Sequence, residues 1–247
     1  MIRRQPHQDL QSSQPLYQAS VDFFFLQNHG YPRRSALEWV GNRHRLGSLE
    51  RQLLQRGVFS QRDALQRIAR RSLGASWSNE TLVVDGHNVQ ITVESSILGR
   101  PILKANDGAI RDLAGQSANF RLTEASRLAV DLIFRFLRQF RPAGALFFFD
   151  APISQSGILA QFYRREMEAL GLPGTSRAVP VPEREFLYEE AIVASSDSAV
   201  LEKASRWVDL AGLVLSFDRS LQLKVDFSSI RLTRVACQDS PIPPWFS

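Results

Sequence analysis

Three aspartates each close an apolar run: Asp85 after Leu82-Val83-Val84, Asp150 after Leu146-Phe147-Phe148-Phe149, and Asp197 after Ala191-Ile192-Val193-Ala194-Ser195-Ser196. A short apolar run that stops at turn residues reads as a buried strand ending in a loop. In an open α/β sheet, ligands gather outside the carboxyl ends of the strands, so a carboxylate placed there is a candidate for chemistry. If the three strands are parallel and adjacent, the three acids converge on one edge. Like charges that close call for a compensating cation or shared protons. Oxygen donors without cysteine suit Mg²⁺ or Mn²⁺, and such an ion can activate water and neutralise a phosphodiester. Helix and turn capping is the competing reading, since Asp favours both positions.

The elements that must position these acids alternate between strand and helix patterns. Strands are expected at 82–85, 145–150, 177–181 and 191–197, the third nearer an edge because of Pro180. Further strands are expected at 213–215 and 227–232, and a short extended piece at 102–103. Helices are expected at 90–98, from Thr123 through Phe140, at 154–170, over the acidic stretch 183–190, and from Ser198 to Trp207. This alternation implies right-handed crossovers and a mainly parallel sheet flanked by helices, an α/β fold of Rossmann-like type.

Ahead of it, residues 17–80 read as a small, basic, all-helical domain and linker, after a polar, loose stretch at 1–16. Its helices bury Val21, Phe24 and Phe25, then Ala36, Leu37, Trp39 and Val40, then Leu49, Leu53 and Leu54. In the fourth helix Leu65, Ile68 and Ala69 turn inward, while Arg67, Arg70 and Arg71 face outward. Residues 74–80 read as the linker, and the α/β domain occupies 81–247. The tail 241–246 reads as extended.

Among 247 residues with a net charge of +5, the excess is unevenly placed. Residues 1–80 hold twelve arginines and six acids, a net of +6, which leaves the remainder at −1. That asymmetry points to a polyanionic partner. Cys237, the one cysteine, excludes an internal disulfide and a multi-cysteine zinc site and suits a reducing compartment, so the expected location is cytoplasmic. No apolar run approaches the roughly 20 residues that cross a bilayer. Neither a phosphate-binding Gly-rich loop with Lys-Ser/Thr nor a dinucleotide Gly-x-Gly-x-x-Gly is present.

Several lesser candidates accompany the acids. Ser154 and Ser156 follow Asp150 at a helix start, where hydroxyls and free N–H groups can hold a phosphate. Arg100, Lys104 and Arg111 form a basic run that could grip a phosphate backbone. His87 could act as acid or base, but a packed, hydrogen-bonded histidine is the favoured reading.

The stretches Asp85-Gly86-His87-Asn88, Phe149-Asp150-Ala151-Pro152 and Ser195-Ser196-Asp197-Ser198 resemble the PIN-like nuclease superfamily, including its NYN-type members. Those proteins place an Asp-Gly-x-Asn at the end of strand one and a Ser/Thr-x-Asp before a late helix. This resemblance covers residues 82–216. The whole chain also resembles an uncharacterised prokaryotic family that joins a PIN-like domain to a helical domain of unknown function. The residues that carry this second likeness are Asn28-His29-Gly30-Tyr31-Pro32, Ala36-Leu37 and Val40-Gly41-Asn42-Arg43.

The first resemblance implies that Asp85, Asp150 and Asp197 hold Mg²⁺ or Mn²⁺ directly or through water. Asn88 would orient the loop or a bound water, and Ser196 would join the substrate-binding hydroxyls. A further acid is implied, with Glu185 and Glu189 as candidates. Asp112 is a third, although turn capping is the favoured reading for it and for Asp107. The expected activity is metal-dependent hydrolysis of nucleic acid, RNA first. The alternative is a PIN-like module that binds nucleic acid or protein and has lost the chemistry.

Overall fold

The computed structural model describes residues 14–113, 121–186 and 188–231. Cys237, Trp245, the tail 241–246, the first thirteen residues and residue 232 lie outside the described residues; at 227–231, where a strand is expected, the chain turns instead, the strand there being Leu223–Asp226.

Five parallel strands form the main sheet: β1 (Thr81–Asp85), β4 (Gly144–Asp150), β5 (Gly174–Val179), β6 (Ile192–Ala194) and β7 (Trp207–Val208). Their order is β5-β4-β1-β6-β7, parallel at every pairing. The chain therefore moves outward from β1 through β4 to β5, then returns to lay β6 and β7 on the other side of β1. The reversal lies between β1 and β6, which is where open α/β sheets place their ligands. Both faces are covered. Leu82, Val84, Phe147 and Ala194 belong to one buried cluster, and Val83, Phe148 and Val193 to another on the opposite face. Burial on both sides is why these strands read as unbroken apolar runs.

Helices α5 (Gly86–Ile97), α6 (Glu124–Gln139), α7 (Ser156–Leu170) and α9 (Leu210–Phe217) contribute to the first cluster. The second takes Val200 and Leu201 from α8 (Ser198–Lys203) and Phe186 from the segment before β6. Residues 70–72 extend the β7 edge: Trp207 N–H donates to Arg70 O, and Ser72 N–H donates to Trp207 O.

A second sheet was not expected. It joins β2 (Ile102–Lys104) and β3 (Ile110–Asp112), an antiparallel pair, to β8 (Leu223–Asp226), parallel to β2. The helices α1 (Gln14–Asn28), α2 (Arg33–Arg43), α3 (Ser48–Gly57) and α4 (Gln61–Ala69) precede the sheets. Phe23, Leu26, Leu53 and Leu54 from the helical region share one cluster with Leu103, Val225 and Phe227 from the second sheet and its flank. The helical region thus completes its core with residues from far along the chain.

Several local expectations are corrected. The run Leu213-Val214-Leu215 lies within α9, capped by Asp209 accepting from Gly212 N–H, and is not a strand. The acidic stretch at 183–190 forms only one 3-10 turn, Pro182–Arg184, followed by turns. Helix α8 stops at Lys203, and Trp207 enters β7. Helix α5 starts at Gly86, directly after Asp85. Val21, Trp39, Leu49 and Leu65, assigned inward by periodicity, are exposed, and so is Ala69. Trp77, in the expected linker, is fully buried and stacks on Phe136 at 5.7 Å.

Arg67 is the sharpest reversal, with 2% exposure where an outward arginine was expected. Its guanidinium bonds Asp107 at 3.0 Å and Glu202 at 2.8 Å. Arg70 donates to the carbonyls of Glu202 and Ala204, and Arg71 lies 3.6 Å from Asp209. This part of the basic front third clamps α4 onto the α/β layers rather than facing solvent. No helix among the described residues is long and apolar enough to cross a membrane.

Candidate functional site at the carboxyl edge of the sheet

The three aspartates follow neighbouring strands. Asp85 ends β1, Asp150 ends β4 on one side, and Asp197 lies three residues past β6 on the other. Register sets Asp85 opposite Phe148, so β4 carries Asp150 two residues beyond that level. All three sit at the carboxyl edge of one sheet, as their apolar runs predicted.

Asp85 is 4% exposed. One oxygen accepts from Ser195 Oγ at 3.0 Å, and the other accepts from Asn88 N–H at 3.3 Å, capping α5. Burial pushes its pKa up to about 7; the two hydrogen bonds oppose this, while the charges of Asp150 and Asp197 add to it. Asp197 is exposed and caps α8, accepting from Ala199 and Val200 N–H. Asp150 keeps 21% of its side chain exposed beside His87. None of the three forms an ion pair with arginine or lysine among the described residues.

The loop residues hold this arrangement across the reversal. Asn88 Oδ1 accepts from both Ser196 N–H at 2.8 Å and Ser196 Oγ at 3.0 Å, tying the start of α5 to the β6–α8 loop. Ser195 Oγ in turn accepts from Asp197 N–H at 3.1 Å. Asn88 thus orients the loop, one of the two roles the resemblance implied. Ser196 acts through it, since its hydroxyl and N–H are spent on Asn88. His87 is fully buried, accepts Asp150 N–H at Nδ1, and meets Phe149 edge-on at 5.2 Å. It is packed and bonded, as favoured.

Gly86 explains its own presence in the Asp-Gly-x-Asn stretch. A Cβ there would lie 2.5 to 2.7 Å from the Phe149 ring. Gly86→Ala is therefore expected to cost about 1–3 kcal/mol through overpacking. Urea denaturation measures it, and a loss below about 0.5 kcal/mol would show that the ring yields freely.

Other sequence candidates do not join the acids. Glu185 is exposed and 4.0 Å from Arg177, and Glu189 is exposed. Asp112 is buried and accepts from Thr92 Oγ1 at 3.0 Å. Ser154 is exposed, while the Ser156 hydroxyl donates back to Ala151 O. The basic run does not form one surface. Arg100 is exposed, Lys104 faces Asp226 at 3.8 Å, and Arg111 is 2% exposed. Arg111 is fully engaged, donating to both Asp107 oxygens and to Ser196 O.

Two residues escaped the sequence reading. Ser195 was quoted within its motif without a role, yet it is the side chain that bonds Asp85. Tyr188 had no sequence signal, because it lies in the turns before β6. Burial raises its pKa, and the charges of Glu183, Asp85 and Asp197 raise it further, which places its ring near the acids. Its hydroxyl is buried with no hydrogen-bond partner among the described residues.

No group of three or more His, Cys, Asp or Glu among the described residues is placed to hold a metal ion. Mg²⁺ does not require such a group, since one or two carboxylates with water and substrate phosphate suffice. By chemistry the edge suits that ion: hard carboxylate oxygens, with Asp150 and Asp197 open to solvent, and an Asp85 pKa raised by burial first and then by the charges of its two neighbours.

The fold and site define a doubly wound α/β protein with an acidic carboxyl edge and a helical region fused in front. The chain belongs to the family described as Domain of unknown function (DUF5616), which matches residues 75–213. Residues 15–70 match a second family, Protein of unknown function (DUF434). The chain is also 30% identical over 203 residues to Uncharacterized protein MJ0935 of Methanocaldococcus jannaschii, spanning 81% of this chain and 96% of that protein. No solved structure matches.

Proposed function

We propose that the chain is a divalent-metal-dependent nuclease that hydrolyses phosphodiesters of nucleic acid, RNA first. The observation that carries this reading is the Asp85 carboxylate at the sheet's point of reversal, its pKa pushed up to about 7 by burial and by two acids that no arginine or lysine pairs with among the described residues. One or two of the carboxylates of Asp85, Asp150 and Asp197, completed by water and substrate phosphate, would hold Mg²⁺ or Mn²⁺, which when bound lowers the pKa of water and offsets phosphate charge. The protein's own groups prepare the site. Ser195 fixes the Asp85 carboxylate, and Asn88 fixes the loop that carries Asp197.

The test is hydrolysis of labelled single-stranded RNA with Mg²⁺ or Mn²⁺ by the full chain and by Asp197→Asn. Cleavage should vanish with chelator and fall at least about 100-fold in the variant, more than loss of a supporting outer residue gives. The absence of a three-ligand group favours one rival, a PIN-like module that binds without cutting. RNA binding with no cleavage, unchanged in Asp197→Asn, would put that module in its place.

A further inference from the structure

A cleft of about 460 Å³ opens beside Asp197, lined by Arg33, Arg56, Phe59 and Arg111 together with Ser196 and Asp197. Three guanidinium groups stack on the Phe59 ring, with Cζ of Arg33, Arg67 and Arg111 at 4.5, 4.3 and 4.9 Å from its centroid. One buried carboxylate, Asp107, is shared by Arg67 and Arg111, and the second partner of Arg67, Glu202, is 64% exposed. Arg33 has no acid as ion-pair partner among the described residues. It donates to the carbonyls of Val58 and Gln55 and to the Gln27 side chain. Burial, then the charges of Arg67 and Arg111, pull its pKa down to about 10. Arg56, lining the same space, has a buried Nε with no hydrogen-bond partner among the described residues. A buried excess of positive charge, with a donor left over, is unfavourable unless an anion completes it.

We propose that this cleft binds a backbone phosphate of a single-stranded RNA, gripped by Arg56 within the positive field of Arg33, Arg67 and Arg111. The N–H groups of Arg111 are already committed to Asp107 and Ser196, so it supplies field rather than contact. The exposed amides of Gln52 and Gln55 line the same space. One uncommitted guanidinium matches a singly charged phosphodiester, and the Asp197 carboxylate in the same lining disfavours a dianion. The proposal rests on the nuclease reading only in naming the anion as RNA, and it places the adjoining phosphodiester beside the acids.

The experiment is fluorescence anisotropy of a labelled single-stranded RNA in chelator, so that no cleavage enters the readout. The full-length wild type is compared with Arg56→Gln, Arg56→Lys and Arg34→Gln, the last an exposed arginine that does not line the cleft. Arg56→Gln should weaken binding about tenfold and lower the salt slope by roughly 1, with partial recovery in Arg56→Lys. Equal losses in Arg56→Gln and Arg34→Gln, or none in either, would overturn the site. So would complete displacement of RNA by inorganic phosphate at low concentration, which would mark a small-anion pocket. Thermal melts of the variants confirm folding. Loss of binding in Arg56→Gln with no hydrolysis by wild type would leave this site standing and remove the nuclease reading, and the converse pair of results would do the reverse.

Discussion

Asp85→Asn is expected to lower RNA hydrolysis at least about 100-fold while making the protein more heat-stable at pH 8, a combination that marks a group kept for chemistry. Asp85 is buried, and its folded-state pKa is about 7 against an unfolded value near 4. A carboxyl whose pKa is raised on folding contributes stability that is complete below about pH 4 and lost as pH rises through about 7. The wild type should therefore lose up to about 4 kcal/mol between those limits from this residue alone, an upper bound that structural relaxation reduces. Asparagine does not titrate, and its Oδ1 can still accept from Asn88 N–H. The stability gap between variant and wild type should open as pH rises from 5 to 8, as read by melting temperature. Parallel curves would mean that Asp85 ionises as an ordinary surface carboxyl. Adding Mg²⁺ at pH 8 should raise the wild-type melting temperature and leave Asp85→Asn unmoved. At about a hundredfold excess over Kd that stabilisation is about 2.7 kcal/mol.

Asp107→Asn is the largest expected loss of stability, about 3–5 kcal/mol, because it leaves two buried guanidinium groups without their shared counter-charge. Asp107 is fully buried and accepts from Arg67, from both Arg111 terminal nitrogens and from Ala109 N–H. Burial pushes its pKa upward, but Arg111 first and Arg67 second outweigh that and hold it below the usual value. A depressed carboxyl contributes stability above its unfolded pKa near 4 and loses it as pH falls further. The loss in the variant should therefore be full at pH 7. Urea denaturation at pH 7 reads it directly. The exposed partner supplies the control, since Glu202→Gln should cost less than about 1 kcal/mol. Equal, small losses in both variants would show that the cluster does not hold α4 in place.

Strands β1, β4 and β6 could be read from sequence because burial on both faces turns them into apolar runs, each leading to its acid, whereas the two-residue β7 was read as the end of a helix. The same rule misread Leu213-Val214-Leu215, since a helix buried nearly all round, as α9 is, presents the same unbroken run. Of the second sheet only the extended piece at 102–103 was legible, because β2 and β3 have three residues each and β8 joins them from over a hundred residues downstream. Arg67 was sent outward because helical periodicity assigns arginine to solvent. Its inward turn depends on Asp107, forty positions away.

At the site, the acids were found because chemistry and strand ends coincide in the chain. What supports them was found only in part. Asn88 was placed as an orienting residue, but its partner Ser196 and the bond from Ser195 to Asp85 need the two strands side by side. The basic run failed for the same reason: antiparallel pairing sets Arg111 opposite Leu103 and turns its guanidinium to Asp107 instead of to a shared surface with Lys104.

The cluster that unites α1–α3 with Leu103, Val225 and Phe227 has a consequence for anyone wishing to divide the chain. Cutting at residues 71–74, between the two matched families, would strip an oily seam bare on both fragments. Each piece, expressed alone, should aggregate, and the two should regain solubility when produced together.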